Sequence, residues 1–262
     1  MTEAVTAAPT QGAQKGVRIR ALGHRFGDNE VLRDIDLDIR PGESVALVGP
    51  SGSGKSTLVS LLTGALELQT GSIQYDGETV AKGNRPFAFM PQRDVLMPWR
   101  NILDNTAVGL EVAGVPKREA RSRANHLFAT FGLDGTQRQY PRQLSGGMRQ
   151  RAAFLRTVVQ DQPVLLLDEP FGALDAITRD DLQRWLLDLR QHNNWSMLFI
   201  THDIREAIRM ADSVCVLPAT PRPFVGSVGV DRGIPRIDGF AADPRVGVLE
   251  EELRALLERA RR

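Results

Sequence analysis

Residues Gly49-Pro50-Ser51-Gly52-Ser53-Gly54-Lys55-Ser56 read G-x-x-x-x-G-K-[ST], and Thr57, next along, is counted with them as a candidate phosphate-loop binding residue. They stand between the apolar run Val45-Ala46-Leu47-Val48 and a segment with Leu58, Leu61, Leu62 and Ala65 at helical spacing. A strand that enters a glycine-rich turn and leaves as a helix commits the chain to an α/β core. The strand itself carries no alternation, so it reads as one buried on both faces of a parallel sheet. In such a loop the glycines let successive N–H groups point at phosphate oxygens, and the helix start at Gly54 adds its positive dipole end. Lys55 reaches the β- and γ-phosphates and Ser56 can ligate Mg²⁺. Of 33 basic residues only four are lysines (Lys15, Lys55, Lys82 and Lys117), so a lysine in this loop marks a need for a compact, reaching charge.

Two further apolar runs, Val164-Leu165-Leu166-Leu167 and Met197-Leu198-Phe199-Ile200, read as companion parallel strands. The first ends in Asp168-Glu169. Asp168 is placed there to hold Mg²⁺, and Glu169 to take a proton from an attacking water. Residues 17–39 alternate apolar and polar around Gly27-Asp28-Asn29, which predicts antiparallel strands. Helical spacing predicts helices over 101–112, 117–131 and 147–160 with no convincing strand from 93 to 160, and a final amphipathic helix over 249–262. The expected fold is α/β: a mainly parallel sheet around the phosphate loop, an antiparallel β subdomain and a helical insertion.

Composition narrows the function. A hydrophobic content of 42% with 25% charged residues is that of an ordinary globular chain. The net charge of +1 lacks the basic excess of a nucleic-acid binder, so no nucleic-acid partner is expected. No run approaches the roughly 18 to 20 apolar residues of a membrane-spanning helix, so a membrane role has to come through a partner. Residues 1–16 lack a basic start and an apolar run and read as a disordered tail, not a secretion signal. Cys215, alone of its type and within an apolar run, reads as a small core hydrophobe.

Leu144-Ser145-Gly146-Gly147-Met148-Arg149-Gln150-Arg151 resembles the signature L-S-G-G-Q-x-Q-R of ATP-binding cassette (ABC) ATPases. Met148 departs from the usual glutamine. Physically the segment is a helix start, with Ser145 as cap and two glycines that leave N–H groups open to a phosphate. The resemblance implies a two-fold homodimer, each ATP lying between the phosphate loop of one subunit and Ser145, Gly146 and Gly147 of the other.

It carries further residues with it. Phe26 resembles the aromatic that stacks on adenine, Gln92 the glutamine that contacts Mg²⁺ and the attacking water, and His202 the switch histidine at the γ-phosphate. Gly172-Ala173-Leu174-Asp175 resembles the loop that crosses the dimer interface. The segment Leu96-Met97-Pro98-Trp99-Arg100-Asn101-Ile102 is similar to the nitrate, sulfonate and taurine class of bacterial importers, and Trp99 reads either as a core aromatic or as part of a groove wall for a permease helix.

The resemblance implies an ABC ATPase domain over 17–236, with its helical subdomain at about 93–160, and a C-terminal helical extension over 237–262. It implies ATP and Mg²⁺ as cofactors, an integral membrane permease as direct partner, an extracytoplasmic solute-binding protein as indirect partner, and a peripheral place on the cytoplasmic face of the membrane. An exporter or a non-transport ABC ATPase is the alternative. Repair members are split by long coiled coils and translation members carry two cassettes, whereas this chain has one compact cassette.

Overall fold

The computed structural model describes residues 16–81, 86–172, 174–193 and 195–261, without the side chain of Gln191. The tail expected over 1–16 lies outside the described residues except for Gly16, as do Lys15, Lys82 and Ala173. Gly16 exchanges bonds with Asp76, whose Oδ1 accepts its N–H at 2.6 Å.

Strands β1 (Val17–Phe26) and β2 (Asn29–Ile39) form the expected antiparallel hairpin. β3 (Ser44–Val48) enters the phosphate loop, and α1 (Lys55–Thr63) leaves it. β4 (Thr70–Tyr75) and β5 (Glu78–Thr79) then join the first sheet in the order β2-β1-β4-β5. β6 (Phe87–Met90) belongs to the second sheet.

The helical segment holds α2 (Ile102–Val112), α3 (Lys117–His126) and α4 (Gly146–Val158). β7 (Val164–Asp168), α5 (Ala176–His192), β8 (Ser196–Ile200), α6 (Ile204–Met210), β9 (Ser213–Val216), β10 (Gly226–Gly229) and α7 (Pro244–Ala260) complete the chain. The second sheet runs β10-β9-β3-β8-β7-β6, parallel except for β10 at its edge.

Helix boundaries differ from the periodic pattern in two places. α3 stops at His126 because the chain tightens into turns, with Leu133 N–H donating to Phe128 O at 2.8 Å and Gly132 at φ +62°. α7 begins at Pro244, earlier than 249, because Asp243 caps it by accepting from Arg245 N–H and Pro244 sits at its start, where the missing N–H costs nothing.

The strands of the second sheet alternate between two cores. Val45, Leu47, Val164, Leu166, Leu198, Ile200 and Cys215 face one cluster with α1 and the antiparallel sheet. Ala46, Val48, Leu165, Leu167, Met197 and Phe199 face the other with α4, α5, α6 and α7. Burial pushes the Cys215 thiol up to about 12, so it behaves as a small apolar group. Among the described residues no helix is long and apolar enough to cross a membrane.

Leu166 is wholly buried on the interior strand β7, between β8 and β6. Leu166→Ala is expected to lower unfolding free energy by about 2–5 kcal/mol, measured by urea denaturation.

Candidate active site

The register of the parallel strands sets the site. Leu47 pairs with Ile200, Asp168 with Ile200, and Met90 with Leu167. Two residues beyond Leu47 and Ile200 stand Gly49 and His202, and two beyond Met90 and Leu167 stand Gln92 and Glu169. The C-terminal ends of four adjacent strands, β3, β8, β7 and β6, therefore deliver the phosphate loop, the histidine, the acidic pair and the glutamine to one edge. This is where open α/β sheets bind ligands.

The loop is built as its pattern requires. Gly54 caps α1 at φ +91°, and a Cβ there would come within 2.7 Å of Leu32 Cδ2, so glycine is needed for both conformation and space. A Cβ on Gly49 would lie 2.5 Å from Leu217 O. Ser53 N–H donates to Pro50 O at 3.2 Å, closing the turn, and Leu58 N–H donates to Gly54 O as the helix starts. Ser51, Gly52 and Ser56 are exposed, and Thr57 is half-buried on α1. Lys55 Nζ donates to Gly49 O, Pro50 O and Ser53 Oγ at 2.9, 2.8 and 3.3 Å, folding its ammonium over its own loop. Burial lowers its pKa, and Glu169 and Asp168 counter that.

Opposite stands the acidic pair. Burial raises the Asp168 carboxyl above its ordinary range, the charge of Glu169 adds to this, and Lys55 offsets part of it. Glu169 holds φ +44°, a left-handed conformation costly for a non-glycine residue. Its backbone is pinned by donation to Ile200 O at 3.0 Å and by acceptance from Gly172 N–H at 3.1 Å. Its carboxylate joins two elements: Gln92 Nε2 donates to Oε2 at 2.8 Å, and His202 Nδ1 lies 3.3 Å from Oε1. A glutamine and a histidine thus hold one carboxylate from either side.

The remaining expected residues lie around this centre. Phe26 ends β1 half-exposed, stacked edge-on against buried His24 with ring centroids 4.7 Å apart. Ser145 caps α4 by accepting from Met148 N–H at 3.2 Å, and Ser145 and Gly146 are exposed. Their own-chain surroundings are the loop and helix that follow β7: a Cβ on Gly146 would meet Leu174, and one on Gly147 would meet Thr178. Asp175 caps α5, and its bond from Thr178 N–H lowers its pKa.

Trp99 is 74% exposed, which excludes the core reading. Its loop is held by Asn105, which the sequence pattern does not mark. The buried Asn105 amide donates to Met97 O, Arg100 O and Asn101 O at 3.1, 3.0 and 3.0 Å and accepts from Met97 N–H.

Behind His202, Asp203 caps α6 and brings Glu206 into a buried position facing Gln183 of α5, whose Nε2 donates to it at 3.3 Å. Burial above all pushes the Glu206 carboxyl up to about 7; a hydrogen bond with Thr201 opposes this, the charge of Asp203 adds to it, and Arg179 and His202 offset part of it.

A phosphate loop with a second acidic strand end, on a parallel sheet flanked by an antiparallel one, defines a P-loop nucleoside triphosphatase. The family model described as ABC transporter matches residues 32–172. The taurine import ATP-binding protein TauB of Escherichia coli O157:H7 is 43% identical over 205 residues, 78% of this chain and 80% of that protein. TauB of Escherichia coli (strain K12) is 42% identical over the same shares. Among solved structures, the dimeric MJ0796, a bacterial ABC transporter cassette, superposes with a TM-score of 0.70 at 25% identity, covering 82% of this chain and 99% of that one. The same cassette in a dimeric post-hydrolysis state bound to ADP and Pi matches equally. The chain belongs to the ABC transporter family, as an ATPase cassette.

Because the folded pKa of Glu206 exceeds its ordinary 4.5, the folded state holds an extra proton between about 4.5 and about 7, and stability falls as pH rises through that window. Glu206→Gln removes the cost of ionising there. Its melting temperature should exceed that of the wild type by a few degrees at pH 8, with the difference shrinking towards zero as pH falls to 4, below the window, by calorimetry.

Proposed function

We propose that this chain works as the ATP-hydrolysing subunit of an importer, with a small sulfonate such as taurine as the cargo class. The observation that carries the catalytic reading is the Glu169 carboxylate held between Gln92 and His202 at the ends of neighbouring parallel strands. A carboxylate fixed there is a general base for water attacking the γ-phosphate, Gln92 and His202 orient it, and Lys55 and the loop N–H groups stabilise phosphate charge. Phe26 offers its exposed ring to the adenine.

The donors present suit Mg²⁺. Ser56 offers an exposed hydroxyl, and Asp168 a half-buried carboxylate, raised in pKa by burial first and by the neighbouring Glu169 charge second, whose ionised form a cation would favour. Gln92 supplies a third oxygen. So few protein oxygens are typical for an ion that keeps waters and substrate phosphates as its other ligands. Bound there, the ion would neutralise phosphate charge.

The start of α4, with Ser145 and Gly146 exposed and Gly147 half-buried behind them, supports a two-fold homodimer in which it meets the nucleotide of a second copy, with Asp175 near the junction. That MJ0796 is a dimeric cassette supports the dimer. Import is supported by the names of the TauB relatives and by the exposed Trp99 loop, read as one wall of a permease-docking groove on the cytoplasmic face of the membrane. A solute-binding protein outside the membrane would select the cargo.

Glu169→Gln should retain ATP binding while lowering kcat by about 10² to 10⁴, measured as phosphate release; near-wild-type turnover would remove Glu169 from the mechanism. Lys55→Ala should weaken ATP affinity itself, and unchanged binding in a calorimetric titration contradicts the loop assignment. Uptake of radiolabelled taurine by vesicles carrying the chain with its permease tests the cargo.

A further inference from the structure

Two residues beyond Gln92 the chain passes through Asp94-Val95. Val95 holds φ +44°, a left-handed conformation that a β-branched residue rarely adopts, and its side chain is exposed, so packing does not hold it there. The grip comes from α4. Arg156 donates from Nη1 to Val95 O and from Nη2 to Asp94 O, both at 2.7 Å.

Arg149 lies two turns earlier on the same helix face. It donates from Nε to Asp94 Oδ2 at 3.1 Å and from Nη1 to Leu144 O at 2.8 Å, joining the residue before Ser145 to the same strained segment. Asp94 Oδ1 accepts from Leu96 N–H at 3.3 Å, so both its oxygens are engaged. Burial lowers the Arg156 pKa and Asp94 counters it. A guanidinium kept half-buried to hold two consecutive carbonyls uses its planar fork, which a lysine cannot reproduce.

We propose that Arg156 is a positioning residue for ATP hydrolysis: it locks the Asp94-Val95 backbone to α4, so that the helix beginning at Ser145 sets where Gln92 stands against Glu169. The inference rests on the catalytic reading of Gln92 and Glu169 above. α4 also reaches the opposite wall, where buried Gln150 donates to Pro170 O, next to Glu169. One helix therefore touches both sides of the pair whose bond orients the base. A shift or rotation of α4 moves the glutamine through Arg156, and the exposed start of that helix is the end offered to a second copy's nucleotide.

The test is a double-mutant cycle in the full-length chain, with kcat from phosphate release and ATP affinity from calorimetry. Arg156→Met keeps most of the side-chain stem and removes the donors. It is expected to lower kcat about 10- to 100-fold, the scale of a misplaced catalytic group, with ATP affinity unchanged. In a Gln92→Ala background the same substitution should cause no further loss, because the residue acts through Gln92.

Wild-type kcat in Arg156→Met, or an additive loss in the double variant, overturns the proposal. If Arg156→Met does not melt cooperatively, Arg156→Lys replaces it in the same cycle. That variant keeps charge and stem but not the fork, so partial, non-additive loss is expected, and full activity or additivity overturns the proposal. Hydrolysis untouched in both Gln92→Ala and Glu169→Gln would instead remove the catalytic reading on which the latch rests.

Discussion

Burial of both faces of the six-stranded sheet is the constraint on which the rest depends. Alternate residues of β3, β7 and β8 face two separate cores, so slipping any of these strands by one residue would exchange its two faces. That penalty fixes the register of Leu47, Ile200, Asp168 and Met90, and the register alone sets Gly49, His202, Glu169 and Gln92 at one edge. No local turn could bring together groups so widely separated in sequence.

At that edge the structure sustains features unfavourable elsewhere. Two carboxylates are adjacent, one of them buried enough to raise its pKa, and Glu169 sits at positive φ. Each is compensated by a named neighbour: Lys55 for the charge, Ile200 and Gly172 for the backbone, Gln92 and His202 for the carboxylate. Strain and charge held by an over-determined surrounding are what a preorganised site for anionic phosphate chemistry requires.

The helical segment and the C-terminal extension support this edge from outside. Asn105 fixes the loop that presents Trp99, and the arginines of α4 fix the strained turn after Gln92. α7 buries Val246, Leu253 and Leu256 in one of the two cores, while Glu250 pairs with Arg205 on α6, the helix that follows His202. The extension is thereby joined to the element behind the histidine.

The phosphate loop, the three buried parallel strands, the acidic pair and the Ser145 cap were legible in the sequence because each is a local arrangement: a spacing of glycines, an unbroken apolar run, a capping side chain before a helix. Strands β4, β5, β6, β9 and β10 were not: β5, β6, β9 and β10 have only two to four residues, too few to set a period, and β4 carries one fully buried residue, Ile73, and so no clear alternation. Asn105 and Arg156 left no signal either, and Gln150, though part of the signature match, gave none of its bond to Pro170 O. A buried amide and a half-buried guanidinium on helices look like ordinary polar positions until the carbonyls they satisfy are brought to them from distant segments. Whether Trp99 packs inside or faces outward was likewise decided by the Asn105-held loop. Sequence determined which chemical groups the chain carries and which local turns present them; only the tertiary structure, through strand register and long-range hydrogen bonds, decided which groups meet and what holds them in place.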